Sequence, residues 1–154
     1  MQIRQAVKAD ARQLAQLRWE FRSVAHGTPN ETEQGFVDRC AKWMDDRLST
    51  SGTWTAWVAE QDGEIVGQIW LLLFEKVPNP TAELERHAYI SNLYVKPTAR
   101  GGLGTQLLER CLDWLADQSV HQIMLWPSTL SRSLYARHGF AITNDVLMRK
   151  GEAD

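Results

Sequence analysis

Arg100-Gly101-Gly102-Leu103-Gly104-Thr105 is a segment whose residue types and spacing suit the binding of an anion. Glycines lack a Cβ, so the backbone can take positive φ and come close to a ligand. If a helix follows, its unpaired N–H groups and its dipole favour negative charge at that end. Arg100 adds a fixed positive charge, and a guanidinium grips phosphate with two donors at once. The same glycines would also serve a simple tight turn from strand to helix, so the neighbouring residues must decide. A P-loop needs Lys and then Ser or Thr after its last glycine, whereas Gly104 is followed by Thr105-Gln106. A dinucleotide fingerprint needs a third glycine where Leu107 stands. Both nucleotide readings are weakened.

The elements that must position this turn follow from periodicity. Gln2 to Ala6 reads as a strand. Asp10 with Gln13 has capping-box spacing, and Leu14, Leu17, Phe21 and Val24 then recur at helical intervals. Asn30 with Glu33 repeats that spacing ahead of Val37, Cys40, Ala41, Met44 and Leu48, in a second helix ending near Ser51-Gly52. Thr53 to Gln61 reads as a strand, Asp62-Gly63 as the tight turn of a hairpin, and Glu64 to about Phe74 as its partner. That partner is apolar on both faces, with Ile65, Ile69, Leu71 and Leu73 on one and Val66, Trp70, Leu72 and Phe74 on the other. It should therefore be central, with helices on both sides. Val77-Pro78-Asn79-Pro80 must be a loop. A fourth strand, His87 to Val95, leads into the glycine turn and a helix running to about Gln118. Gln122 to Trp126 reads as a strand, Leu130 to His138 as a short helix closed by Gly139, and Phe140 to Met148 as a last strand. The expected fold is α/β, a mixed, mostly antiparallel central sheet flanked by helices.

Composition narrows the class. At 154 residues the chain suits a single domain, 1–154, able to bury a core without disulfides or metal. A net charge of -2 and a pI near 6.1 offer no general attraction for nucleic acid or an anionic membrane. The polar start Met1-Gln2-Ile3-Arg4-Gln5 lacks a secretory apolar core, and no apolar run has bilayer-spanning length, so a cytoplasmic location is expected. Cys40 and Cys111 sit among apolar residues at helical spacing and read as buried free thiols. His26, His87, His121 and His138 are scattered, so no metal site is expected.

Leu93-Tyr94-Val95-Lys96-Pro97, the arginine-glycine turn, and Leu134-Tyr135-Ala136-Arg137-His138-Gly139-Phe140 resemble, in order, the two signature segments of the GCN5-related N-acetyltransferase (GNAT) superfamily. The element order agrees over essentially the whole chain. The resemblance implies that acetyl-coenzyme A is the co-substrate and that backbone amides of Arg100, Gly101, Gly102, Leu103, Gly104 and Thr105 bind its pyrophosphate. Leu93, Tyr94 and Val95 would accompany the pantetheine arm, Ser131 would donate to the cofactor, and Tyr135 would lie near the thioester sulfur. A β-bulge near Asn92-Leu93 would splay the fourth and fifth strands. The match departs at the turn, which is one residue short between Pro97 and Gly102 and shifts emphasis from the Arg100 side chain to the amides.

Transfer to an amine needs a neutral nucleophile, a site for developing negative charge, and a proton for the departing thiolate. Tyr135, with a phenol pKa of about 10, suits the last role, although it also reads as a core aromatic. Glu83, Glu85, His87, Tyr89 and Ser91 are the candidates for a base, with a bulge expected to swap strand faces at an undetermined point. Trp19 and Trp43 could line the acceptor wall with Glu20 or Asp46, an arrangement suited to a cationic amine, or simply seal helices to the sheet. The expected acceptor is a primary amine of a small molecule or peptide, and a homodimer is compatible with the sequence. A silent CoA-binding sensor and a site for another phosphate compound are the alternatives.

Overall fold

In the computed structural model, residues 1–25, 27–50 and 52–152 are described, so His26 and Ser51 lie outside the described residues, as do the side chains of residues 24 and 25. A five-stranded sheet runs in the order β1 (Gln2–Gln5), β2 (Trp54–Gln61), β3 (Glu64–Glu75), β4 (Arg86–Val95), β5 (Val120–Met124). Its first three pairings are antiparallel and β4–β5 is parallel. A parallel neighbour requires a crossover, which α3 (Leu103–Ala116) supplies. One face packs against α3 and α4 (Arg132–Arg137) through Leu103, Leu107, Leu108, Cys111 and Tyr135. The other packs against α1 (Ala11–Ala25) and α2 (Glu33–Ser49) through Leu14, Leu17, Val37 and Met44.

The β2–β3 turn takes positive φ at both Asp62 (53°) and Gly63 (81°), as a tight hairpin requires. Strand β3 lies at the centre of the sheet, buried along most of its length. Its faces differ from strict alternation. Glu60 pairs with Ile65 while Ala59 pairs with Gly67, so β3 carries an extra residue at Val66. That bulge sends Ile65 to the α1–α2 side and Val66, Ile69, Leu71 and Leu73 to the α3 side.

Both expected capping boxes are replaced. The Asp10 carboxylate accepts from the Val7 N–H at 2.8 Å and takes Arg4 in a two-pronged contact, and Gln13 accepts from the Ile65 N–H at 3.0 Å. Gln13 thus serves a tertiary partner, while Asp10 caps the turn that precedes α1. Helix α2 begins at Thr32, whose hydroxyl accepts from the Gly35 N–H, and not at Asn30.

The expected last strand is absent. Residues 140–148 form no strand, because Thr143 and Asp145 close a short polar turn through two hydrogen bonds, and Ile142 and Leu147 stay exposed. Strand β5 also sits two residues earlier than the sequence suggests, ending at Met124. Cys111 is fully buried, and burial pushes its thiol up to about 12, whereas Cys40 is only half-buried. Among the described residues no helix is long and apolar enough to cross a membrane.

Candidate active site

The site is organised by an irregularity in β4. Trp70 pairs with Ser91 and Gln68 with Tyr94, so β4 spends one more residue than β3 over this stretch. Asn92 absorbs the excess with φ 58°, a left-handed conformation that asparagine tolerates better than most residues. Faces swap at this point. Tyr94 stacks on Phe21 of α1 at 5.1 Å between ring centres, while Leu93 and Val95 pack on the α3 side. Leu93 and Val95 are therefore separated from Ser91, which faces the α1–α2 side.

The same stretch parts from β5. The parallel pairing runs from Arg86 only to Tyr89, so from Ile90 onward the edge of β4 opposite β3 has no strand beside it among the described residues. Beyond Val95 the chain makes a short 3-10 turn over Pro97–Ala99 and enters the glycine segment. Gly101 and Gly102 take φ of 139° and 90°, and an added Cβ would meet nothing within 4 Å at either, so the turn is open to a ligand. Gly104 differs from expectation: it lies inside α3, facing Leu134 and Val95, and contributes closeness of packing instead of positive φ. The first backbone bond into α3 runs from the Gln106 N–H to Gly102 O, leaving the Leu103, Gly104 and Thr105 amides directed out of the helix end. Leu103 itself is buried. Arg100 donates its Nε–H to Val95 O at 3.3 Å, tying the turn to the end of β4. An open strand edge thus runs into outward amides beside a guanidinium, an arrangement able to take an extended anionic ligand.

Tyr135 is buried in the α3–α4 core and meets Phe140 edge-on at 5.6 Å. Burial, with the neighbouring Cys111, pushes its phenol up to about 12. Its hydroxyl has no hydrogen-bond partner among the described residues. Ser131 is engaged locally: its hydroxyl accepts from the Ser128 N–H at 3.0 Å and has Ser128 O within 3.1 Å as an acceptor.

The candidate bases do not come together. Glu85 accepts from the Asn79 N–H and belongs with Glu83 to the 76–85 loop, on a separate surface depression. His87 lies between Phe74 and His121, and its Nδ1 is buried without a partner among the described residues. Burial and the charges of Lys76 and His121 hold its pKa below the usual histidine value. Tyr89 packs edge-on against Trp126 at the last residue of the β4–β5 pairing. Only Ser91 reaches the cavity described next.

Between α1, α2 and strands β2 to β4 lies a cavity of about 470 Å³, with Ser91 and Asn92 of the bulge in its wall. Trp43, Trp54 and Trp70 form a cluster along it, with ring centres 5.2 to 6.2 Å apart. Trp19 does not join them; it packs on Phe36 between the helices. Asp46 is present but pairs with Lys42 at 3.1 Å, and Glu20 is not in the lining. Arg18 reaches from α1 to donate to Asn92 Oδ1 at 3.1 Å. Arg18 carries a legible signal in the sequence, a charged residue among Leu14, Leu17 and Phe21 on an otherwise apolar helix face. Among the described residues no cluster of His, Cys, Asp and Glu is arranged to hold a metal.

Residues 11–140 match the model of the Acetyltransferase (GNAT) family. A predicted acetyltransferase with acetyl-CoA from Clostridium acetobutylicum is 25% identical, with TM-score 0.81 over 97% of this chain and 95% of the other. A GCN5-related N-acetyltransferase from Ralstonia eutropha JMP134 is 26% identical, with TM-score 0.77 over 97% of each chain. A possible acetyltransferase from Clostridium difficile 630, 16% identical with TM-score 0.80 over 99% and 97% of the two chains, shares the fold. No relative emerges among curated proteins.

Proposed function

The chain belongs to the GNAT family of acetyltransferases, and from that premise we propose that it moves the acetyl group of acetyl-coenzyme A onto a primary amine of a small molecule or peptide. One observation carries this reading: β4 bulges at Asn92 and loses β5 beyond Tyr89, between the outward amides of α3 on one side and the tryptophan-lined cavity on the other.

Acetyl-coenzyme A supplies an activated acyl thioester. The amides from Arg100 to Thr105 hold its pyrophosphate, with Arg100 adding charge at the rim. The open backbone edge of Leu93, Tyr94 and Val95 pairs with the pantetheine arm. A backbone N–H re-aimed by the bulge donates to the acetyl oxygen as negative charge develops there. The amine nitrogen forms the new bond to the acetyl carbon and gives one proton to solvent, and the carbon–sulfur bond breaks with its electrons on sulfur. Tyr135 gives its proton to that sulfur and recovers one from solvent, which balances the proton released by the amine. Burial raises that phenol to about 12, so it is protonated at neutral pH but a weaker acid than free tyrosine, and its donation to sulfur must be concerted with cleavage of the carbon–sulfur bond.

Thiol release from acetyl-CoA against polyamines, amino acids, aminoglycosides and peptides tests the reading. Acceptor-dependent release is expected. A flat response over the whole panel, despite tight CoA binding, would transfer the assignment to a silent CoA-binding sensor. One observation favours that second reading: Glu85 and His87 both lie away from the cavity.

A further inference from the structure

The charge in the acceptor cavity runs opposite to the charge of the whole chain. Four cationic side chains and one carboxylate line it, although the chain carries a net charge of -2. Two of those cations are neutralised internally, Arg39 by Glu31 at 2.5 Å and Lys42 by Asp46 at 3.1 Å. Arg18 and Arg47 make no ion pair among the described residues. Arg18 gives one N–H to a neutral acceptor, Asn92 Oδ1, which leaves most of its five donors unspent. Burial presses its pKa down, and the charge of Arg22 adds to that. Arg47 lies over the Trp43 ring at 4.6 Å and is held in place by that ring, not by an anion.

A guanidinium withdrawn from water without a counter-charge is costly, and a planar fork is shaped for a carboxylate. Arg18 meets β4 at Asn92, where the strand opens toward the thioester, so an anion on Arg18 sits beside the reacting centre. The cavity volume falls in the range for small-molecule sites, and its tryptophan wall favours an apolar body.

We propose that the acceptor is an amine that also carries a carboxylate, on an aromatic or large apolar body of amino-acid to dipeptide size, with the carboxylate held by Arg18 and supported by Arg47. This rests on the acetyltransferase reading above. A polycationic acceptor such as a polyamine would bring further positive charge to two unpaired guanidiniums and is selected against.

The test compares L-phenylalanine, L-tryptophan, L-leucine and L-methionine with their C-terminal amides, and with phenethylamine and spermidine. Binding to the full chain is followed by calorimetry, and turnover by thiol release from acetyl-CoA. At least one carboxylate is expected to bind and to react about tenfold better than its own amide. Arg18→Gln should abolish that preference, and Arg47→Gln, at the half-exposed rim, should reduce it without threatening the fold. Equal behaviour of acids and amides, preference for spermidine, or no binding by any carboxylate overturns the proposal. Carboxylate-selective binding with no thiol release from any acceptor leaves the cavity assignment standing and overturns the transferase reading instead.

Discussion

Arg18 on α1 donates to the side-chain oxygen of Asn92, the left-handed residue of the β4 bulge, at 3.1 Å. One contact thus joins the helix wall of the cavity to the point where the sheet opens. Asn92→Gly keeps the backbone conformation, so urea unfolding should shift by no more than about 1 kcal/mol. It removes the acceptor for Arg18, and KM for the amine should rise about tenfold while KM for acetyl-CoA holds. Asn92→Val, β-branched at positive φ, should instead cost about 1–2 kcal/mol of stability.

Arg100 spends its Nε–H on Val95 O. In the proposed binding mode the backbone amides carry the pyrophosphate, and Arg100→Ala should weaken acetyl-CoA binding by roughly 3- to 10-fold in calorimetry. Complete loss of binding would show that the guanidinium dominates.

Tyr135→Phe removes the proposed proton donor and leaves the ring in place against Phe140. A fall in kcat of about 100-fold is expected, with CoA affinity unchanged. Because the phenol is pushed up to about 12, the wild-type rate should show no loss from its ionisation up to about pH 10. An unchanged kcat in the variant would remove Tyr135 from the mechanism.

Burial raises the Asp10 pKa, and the hydrogen bonds it accepts from Arg4 and from the Val7 N–H together more than offset this, leaving the carboxyl below its ordinary value. A depressed carboxyl stabilises the fold above the unfolded value of about 3.9, and that contribution is lost as pH falls through the lower folded value. Asp10→Asn should cost about 1–3 kcal/mol at pH 7. Urea titrations should show the gap between variant and wild type closing on the acid side.

Local signals were sufficient for much of the architecture. Asp62-Gly63 dictated its hairpin because only a few residues accept two successive positive φ values. The unbroken apolar run of β3 announced a central strand, and Gly101-Gly102 before Leu103, Leu107 and Leu108 announced a turn into a helix. Tertiary structure decided what depends on partners distant in the chain. Gln13 gave up a local cap for the Ile65 N–H, and Gln68, polar on a strand, became fully buried by bonding Leu14 O and the Trp70 indole. The bulges at Val66 and Asn92 set which face each later residue occupies, because a single inserted residue inverts a period of two. That inversion placed Ser91 in the cavity and Leu93 on the other side of the sheet. The charge of the cavity had the same origin. Arg18 is 21 residues from Arg39 and 74 from Asn92, and only folding shows which cations of the lining find carboxylates and which do not.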